Sequence, residues 1–382
     1  MLGVQLVIAG IQLPSKYPAR EWRSLSILIG PGMVCMWLTT SVIVHMVAAP
    51  PSFLYSLAVG ACVAPTDPVL SNVIVKGKFA DQNFSRGLQN LIIAESGAND
   101  GLGYPFLFFA LYLIRFTAAG TSVTAAGLGE SLSVWVVLTW GYVILLSVLY
   151  GAAVGWLGKV LLHWCEQRNF VDRESFLVFA ISLALFVLGT CGLIGTDEVL
   201  ACFVAGNALT WDDWFRVETE DDSLQPTIDM LLNVSIFLWY GAALPWFRFS
   251  DDTGGSMHTW QLVVLAAAVL LLRRLPWILI MHNRGWIPQI TQTRQAVFMG
   301  FFGPIGVSAV YYIFVTLDFI EQHLTNEEGV PTPEAREFGE LVRTVVWFLC
   351  TCSIVSVTLL HAYVHTFIDS IPLLPLPDAC LL

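Results

Sequence analysis

Glu95-Ser96-Gly97-Ala98-Asn99-Asp100 stands inside residues 86–115, an apolar run long enough to cross a lipid bilayer. A carboxylate at mid-bilayer is costly, at least about 2.5–3.5 kcal/mol on insertion scales. A chain that places Glu95 and Asp100 there needs a binding reason to keep them. Another acid, Asp67, falls at the centre of the preceding apolar run. The pairing points to the handling of cations or protons within the membrane.

The composition agrees. It is 56% hydrophobic and only 12% charged, with a mean hydropathy of +0.70; soluble domains carry about 25% charged residues. The fold class is therefore an all-α polytopic membrane protein. Hydropathy predicts a stub at 1–13 and spans at 24–47, 53–75, 86–115, 131–162, 174–191, 195–209, 226–247, 258–281, 291–318 and 338–366. The net charge of −11 gathers in loops such as 212–222 and 321–340 and argues against nucleic acid. Cysteines inside apolar runs fit buried free thiols, with no zinc or disulfide spacing. His361 and His365 read as interfacial.

Basic residues set the orientation. Alternating the connections puts Lys16, Arg20, Arg23, Lys76, Lys78, Arg86, Lys159, Arg168, Arg173, Arg216, Arg284 and Arg294 on one side. Only Arg115, Arg248, Arg336 and Arg343 fall on the other. The first side is predicted to be cytoplasmic, and with it the C-terminus. Arg273 and Arg274 remain inside a span.

Two spans carry central breaks. Ala64-Pro65-Thr66-Asp67-Pro68 holds two prolines three apart, which an undisturbed helix does not accept. Asp67 reads as an N-cap, with Pro68 at the first helical position. The second break is Gly300-Phe301-Phe302-Gly303-Pro304-Ile305-Gly306. Non-helical backbone at this depth survives only where protein or a cavity satisfies it. The broken spans run in opposite directions, seven spans apart, as in inverted repeats whose discontinuous helices cross near the midplane. By that symmetry, 174–191 and 195–209 should have partners upstream of the stub, so the chain reads as N-terminally truncated.

Ser96 and Asp100 share one face of their helix, Glu95 and Asn99 the next. Glu95 lies about 7 Å nearer the predicted cytoplasmic side than Asp100. Arg273 and Arg274 fall at a compatible depth, so one of them should pair with Glu95 and the other should snorkel to the interface. Asp100 is left without a fixed partner, free to trade a proton for a hard monovalent cation, with oxygens from Thr66, Asp67 and Ser96 as further ligands. Asp197-Glu198 reads as the cap of the next helix at the outer surface, and Tyr311 and Tyr312 as packing residues.

Together with Val75-Lys76-Gly77-Lys78-Phe79-Ala80 and Gly303-Pro304-Ile305-Gly306-Val307-Ser308-Ala309, these motifs closely resemble the monovalent cation:proton antiporter superfamily, nearest the fungal plasma-membrane sodium/proton antiporters. The resemblance implies the thirteen-span inverted-repeat fold with two crossed discontinuous helices. About 10–11 of those spans are present here, the first two being missing. It assigns 1–370 to the exchanger transmembrane domain and 371–382 to a short cytoplasmic segment. It implies a dimerisation domain, a moving core domain and a homodimer when full-length. It also implies Asp100 as the ion- and proton-binding carboxylate of an Asn-Asp type, with Asp67, Thr66, Ser96 and Asn99 around the ion and Na⁺ at Asp100, Asp67 and Thr66. Pro65, Pro68, Gly303, Pro304 and Gly306 form the breaks. Glu95 would pair with Arg273 foremost, Arg274 being the adjacent alternative. No cofactor is implied beyond transported Na⁺ (or Li⁺ or K⁺) and H⁺, nor any enzyme activity, and the implied roles are pH homeostasis and salt tolerance at the plasma membrane.

Three rival readings follow from the same residues. One is a truncated, inactive or partner-dependent antiporter fragment. A cation channel is another, although two crossed breaks in one chain suit alternating access better. The last is an intramembrane aspartyl protease using Asp67 and Asp100. That reading lacks the Tyr-Asp and Gly-x-Gly-Asp such enzymes carry and leaves the paired breaks unexplained.

Overall fold

The computed structural model describes residues 1–75, 84–116, 125–219, 224–250, 257–326 and 329–368. Lys76, Lys78, the rest of 76–80, the acidic residues 220–222 and the 371–382 segment lie outside the described residues, as do the side chains of His361 and His365. The described structure is helical, and its helices fall where hydropathy placed the spans.

The stub is α1 (Leu2–Gln12), followed by the short α2 (Tyr17–Arg20). The first full span combines α3 (Trp22–Ile27), a π-helical turn at Leu28–Gly32 containing Pro31, and α4 (Met33–Ala48). The broken span is α5 (Phe53–Val63) and α6 (Pro68–Val75), and α7 is the long helix Arg86–Phe116. Next come α8 (Ala125–Val134), a π-helical stretch Trp135–Ile144 and α9 (Leu145–Gln167) in one continuous run. Then follow α10 (Arg173–Ile194), α11 (Glu198–Leu209), α12 (Trp214–Glu218) and α13 (Leu224–Ala243). The span predicted at 258–281 is interrupted, as α14 (Thr259–Leu272) and α15 (Leu275–Asn283). Last are α16 (Thr293–Phe301), α17 (Val307–His323) and α18 (Pro333–Ile368). Six of these stretches are long and apolar enough to cross a membrane by length and composition.

Local chemistry accounts for the interruptions. Pro276 has no N–H to give the carbonyl four residues back, so α14 cannot run smoothly into α15 and the turn opens at Arg273–Arg274. Between α10 and α11, Gly195 takes a left-handed φ of 76°, and Asp197 accepts from the amides of Val199 and Leu200, both at 3.0 Å. Asp197 is thus the expected cap, but not at the surface: it is 3% exposed. The reason is that α11 is only 12 residues long, about 18 Å, and its first turn packs against the middle of α7.

Gly101 sets that approach. A Cβ there would lie 2.5 Å from Leu200 Cβ and 2.8 Å from its Cα. Gly101→Ala should therefore overpack against backbone that cannot rotate away, lowering stability by about 1–3 kcal/mol in a detergent melting series. An unchanged melt would mean that α7 and α11 are not locked at this level.

Candidate ion-binding site

The two broken spans cross and touch. The Asp67 amide donates to the Pro304 carbonyl at 2.9 Å, joining one break to the other. On the flank of α18, the Ile305 amide donates to Ser353 Oγ at 2.9 Å and Cys350 Sγ donates to the Gly306 carbonyl at 3.3 Å. Groups freed by the breaks are thereby satisfied by protein.

Four half-helix ends meet here, and two side chains serve them in pairs. The C-terminal ends of α5 and α16 carry partial negative charge. The Arg273 guanidinium donates to the Val63 and Gly303 carbonyls at those ends. The N-terminal ends of α6 and α17 carry partial positive charge. Asp67 Oδ1 accepts from the Val69 amide at 3.4 Å, and the carboxylate faces the amides of Leu70 and Val307. It also packs against Gly306, where a Cβ would stand 2.0 Å from Asp67 Oδ2.

Glu95 is held by Arg274, not by Arg273. The contact is bidentate: Arg274 Nη1 to Oε1 at 2.6 Å and Nη2 to Oε2 at 2.8 Å. Arg274 Nε adds a bond to the Met299 carbonyl at 2.9 Å. Neither arginine snorkels; Arg273 is 2% exposed and Arg274 3%. The two adjacent side chains leave the interrupted turn toward different partners, Arg273 to the helix ends and Arg274 to Glu95. Arg273→Met should orphan both carbonyl ends and destabilise the protein by about 2–4 kcal/mol. Arg284→Met, at the end of α15, should stay within about 0.5 kcal/mol. Equal melting of the two variants would remove Arg273 from this role.

A polar cluster lies beside the crossing. The Thr66 amide donates to Asn99 Oδ1 at 3.2 Å, and Asn99 Nδ2 donates to Thr66 Oγ1 at 2.9 Å. Ser96 Oγ lies 3.0 Å from Thr66 Oγ1 and 2.9 Å from Ser71 Oγ. Both ends of the Asn99 amide are thus spent on Thr66, so Asn99 fixes the break and Thr66, Ser96 and Ser71 present the hydroxyls. Ser71 escaped the reading of the sequence although it follows Asp67 by one helical turn.

Asp100 is 1% exposed, and neither of its carboxylate oxygens has a hydrogen-bond partner of normal geometry among the described residues. Asp67 Oδ2 is likewise buried and unpartnered. Asp67 is the foremost charge beside Asp100, the Ser308 hydroxyl faces it, and Asp197 lies beyond. Tyr312 donates its hydroxyl to the Asp100 main-chain carbonyl, and Tyr311 donates to Glu198 Oε1 at 3.2 Å. Tyr312, expected only to pack, therefore pins the backbone of the central acid. Thr66, Asp67, Ser96, Asn99 and Asp100 are all brought together, each at most 1% exposed. Buried oxygens without partners are costly, and a small hard cation or a proton is the chemistry that would satisfy them.

The profile of the sodium/hydrogen exchanger transmembrane family matches residues 2–368. Over 361 residues the chain is 38% identical to the "Probable Na(+)/H(+) antiporter" of Schizosaccharomyces pombe, covering 93% of this chain and 46% of that one. It is 35% identical to Na(+)/H(+) antiporter 2 of Zygosaccharomyces rouxii (94% and 43% covered) and 34% identical to a Na(+)/H(+) antiporter of Saccharomyces cerevisiae (94% and 36%). The chain thus spans less than half the length of these relatives. Among solved structures it resembles the sodium proton antiporter MjNhaP1 from Methanocaldococcus jannaschii. The TM-score is 0.67 at 17% identity, with 96% of this chain and 82% of that one covered. That likeness speaks for the fold.

Proposed function

The chain belongs to the sodium/hydrogen exchanger family, and from that premise we propose that it exchanges Na⁺ for H⁺ across a membrane, with the Asp100 carboxylate as the station both ions use. The observation that carries this reading is a fully buried acid with two unsatisfied oxygens, set beside a helix crossing whose own charges are already served by Asp67 and Arg273. A proton or a monovalent cation on Asp100 answers the same deficit, so the two compete for it. Thr66, Asp67 and Ser96 supply further oxygens, and Asn99 holds Thr66 in place. Li⁺ and K⁺ are the alternative cargoes.

Asp100 is closed to both faces in this conformation. Exchange requires a second arrangement that opens it alternately, as broken-helix transporters do by moving one part against the other. A homodimer at the plasma membrane, with the arginine-rich side cytoplasmic, completes the reading. The orientation is supported by the basic-residue asymmetry; the dimer and the plasma membrane rest on the resemblance to the fungal antiporters.

Purified protein in liposomes holding a pH-sensitive dye tests this. An imposed Na⁺ gradient should move protons in the opposite direction, saturably and only when Na⁺, Li⁺ or K⁺ is present. Current without proton coupling would indicate a channel, and no flux at all would indicate an inactive or partner-dependent fragment.

A further inference from the structure

On the far side of α7 from the ion site is a groove of about 630 Å³ between α3–α4, α7 and the π-helical stretch after α8. We propose that it seats one acyl chain of an anionic phospholipid, with the headgroup on Arg20 and Arg23. Ala94, Ala98 and Leu102 form the α7 wall, at a spacing of four. They sit about 200° around the helix from Ser96 and Asp100, since two residues turn it by that much. The groove therefore does not belong to the ion site, and the proposal does not depend on ion exchange.

Size and chemistry select the occupant. From Ala94 to Pro105 the wall runs about 17 Å, close to the roughly 15 Å of one leaflet's hydrocarbon. The lining is apolar apart from Ser26 and the edges of tryptophan rings. It reaches inward to Phe203 of α11, which is 5% exposed. That depth distinguishes it from an ordinary lipid-facing helix surface. A soluble metabolite finds no polar anchor in it, whereas a hydrocarbon tail needs none.

The mouth supplies the charge. Pro18 and Trp22 line it, and Trp22 is 58% exposed. Arg23 stacks over the Trp22 ring at 5.7 Å, and Lys16, Arg20 and Arg23 are all exposed. Of the acids, Glu21 lies among them and accepts from Gln289 Nε2 at 2.5 Å. Basic residues beside an interfacial tryptophan at the end of an apolar slot match a negative headgroup above a buried tail.

The test is lipid retention. Delipidated protein in detergent is offered equal amounts of phosphatidylglycerol and phosphatidylcholine, and bound lipid is quantified by mass spectrometry. The intact protein should keep phosphatidylglycerol preferentially. The double variant Arg20→Gln/Arg23→Gln should lose about thirty-fold of that preference, from two surface arginines. Ala98→Phe should lose the lipid itself by filling the slot; Ser26→Trp, at an exposed lining position, does the same if Ala98→Phe fails to fold. Equal retention of both lipids by the intact protein overturns the proposal. An unchanged preference in the double variant overturns the headgroup assignment. Full retention by a folded slot-filling variant overturns the seat.

Discussion

Asp100→Asn should abolish sodium-driven proton movement in liposomes, by at least about a hundredfold, while the protein still folds and melts cooperatively. The side chain keeps its size, so packing against α17 and the crossing should survive. What disappears is the ability to carry a proton or to neutralise a cation. The neutral amide also removes a buried acid that has no partner for either oxygen, so the variant should melt no lower than the parent and is expected to melt higher. Loss of activity with stability kept or raised separates a transport role from a structural one. Normal exchange in Asp100→Asn would place the shared station elsewhere, with Asp67 the next acid to test.

The second large effect concerns Glu95 and Arg274. Their bidentate contact is buried at both ends, so removing either partner strands a charge in low dielectric. Glu95→Gln or Arg274→Met alone should each cost about 3–5 kcal/mol. The charge swap Glu95→Arg with Arg274→Glu should recover part of that loss, although Arg274 also bonds the Met299 carbonyl and recovery will be incomplete. The swap with Arg273 should recover nothing, because Arg273 is spent on the Val63 and Gly303 carbonyls. Recovery with Arg273 but not with Arg274 would reverse the assignment. In transport assays the surviving Glu95→Gln protein should retain ion coupling, since this pair holds the helices and does not meet the unpartnered oxygens of Asp100.

Much of this arrangement is legible in the residues. Spans as apolar as 174–191 leave no other way to bury themselves, and the paired prolines at 65 and 68 and the glycine-flanked Pro304 mark breaks, whereas the lone Pro105 is carried inside α7. The position of Asp67 before a proline announced its cap, and the depth of Asp100 singled it out as the candidate station. What the sequence could not convey depends on how chains meet after folding. Arg273 and Arg274 are adjacent and chemically alike, and which of them faces Glu95 depends on how their helix is rotated against α7. Asn99 looks like a ligand until Thr66 is seen to occupy both ends of its amide. Asp197 reads as an ordinary surface cap because a 12-residue helix gives no hint that it starts beside Asp100. Ser71, Ser308 and Tyr312 are unremarkable residue types, and their nearness to the acids is purely tertiary.

The resemblance to the antiporters made Asp100 the exchanging carboxylate and set Asp67 beside the ion, without saying what Asp67 does for the crossing. Here the geometry is more specific. Asp67 faces two helix N-termini, opposite an arginine that serves the two C-termini, whereas among the described residues Asp100 meets no helix end and only the Ser308 hydroxyl faces its carboxylate. A charge already committed to helix ends is a poor exchange station, because each cycle would have to undo the crossing. Asp67→Asn should accordingly harm stability more than Asp100→Asn does.

The most direct measurement is proton release on sodium binding. Purified protein in weakly buffered detergent solution, held near neutral pH with a pH electrode or dye, is titrated with NaCl against choline chloride. Saturable release of protons by Na⁺ in the parent, absent in Asp100→Asn and retained in Glu95→Gln, is the expected result. Sodium binding with no proton release, or release that persists undiminished in Asp100→Asn, would contradict competition of the two ions for that carboxylate.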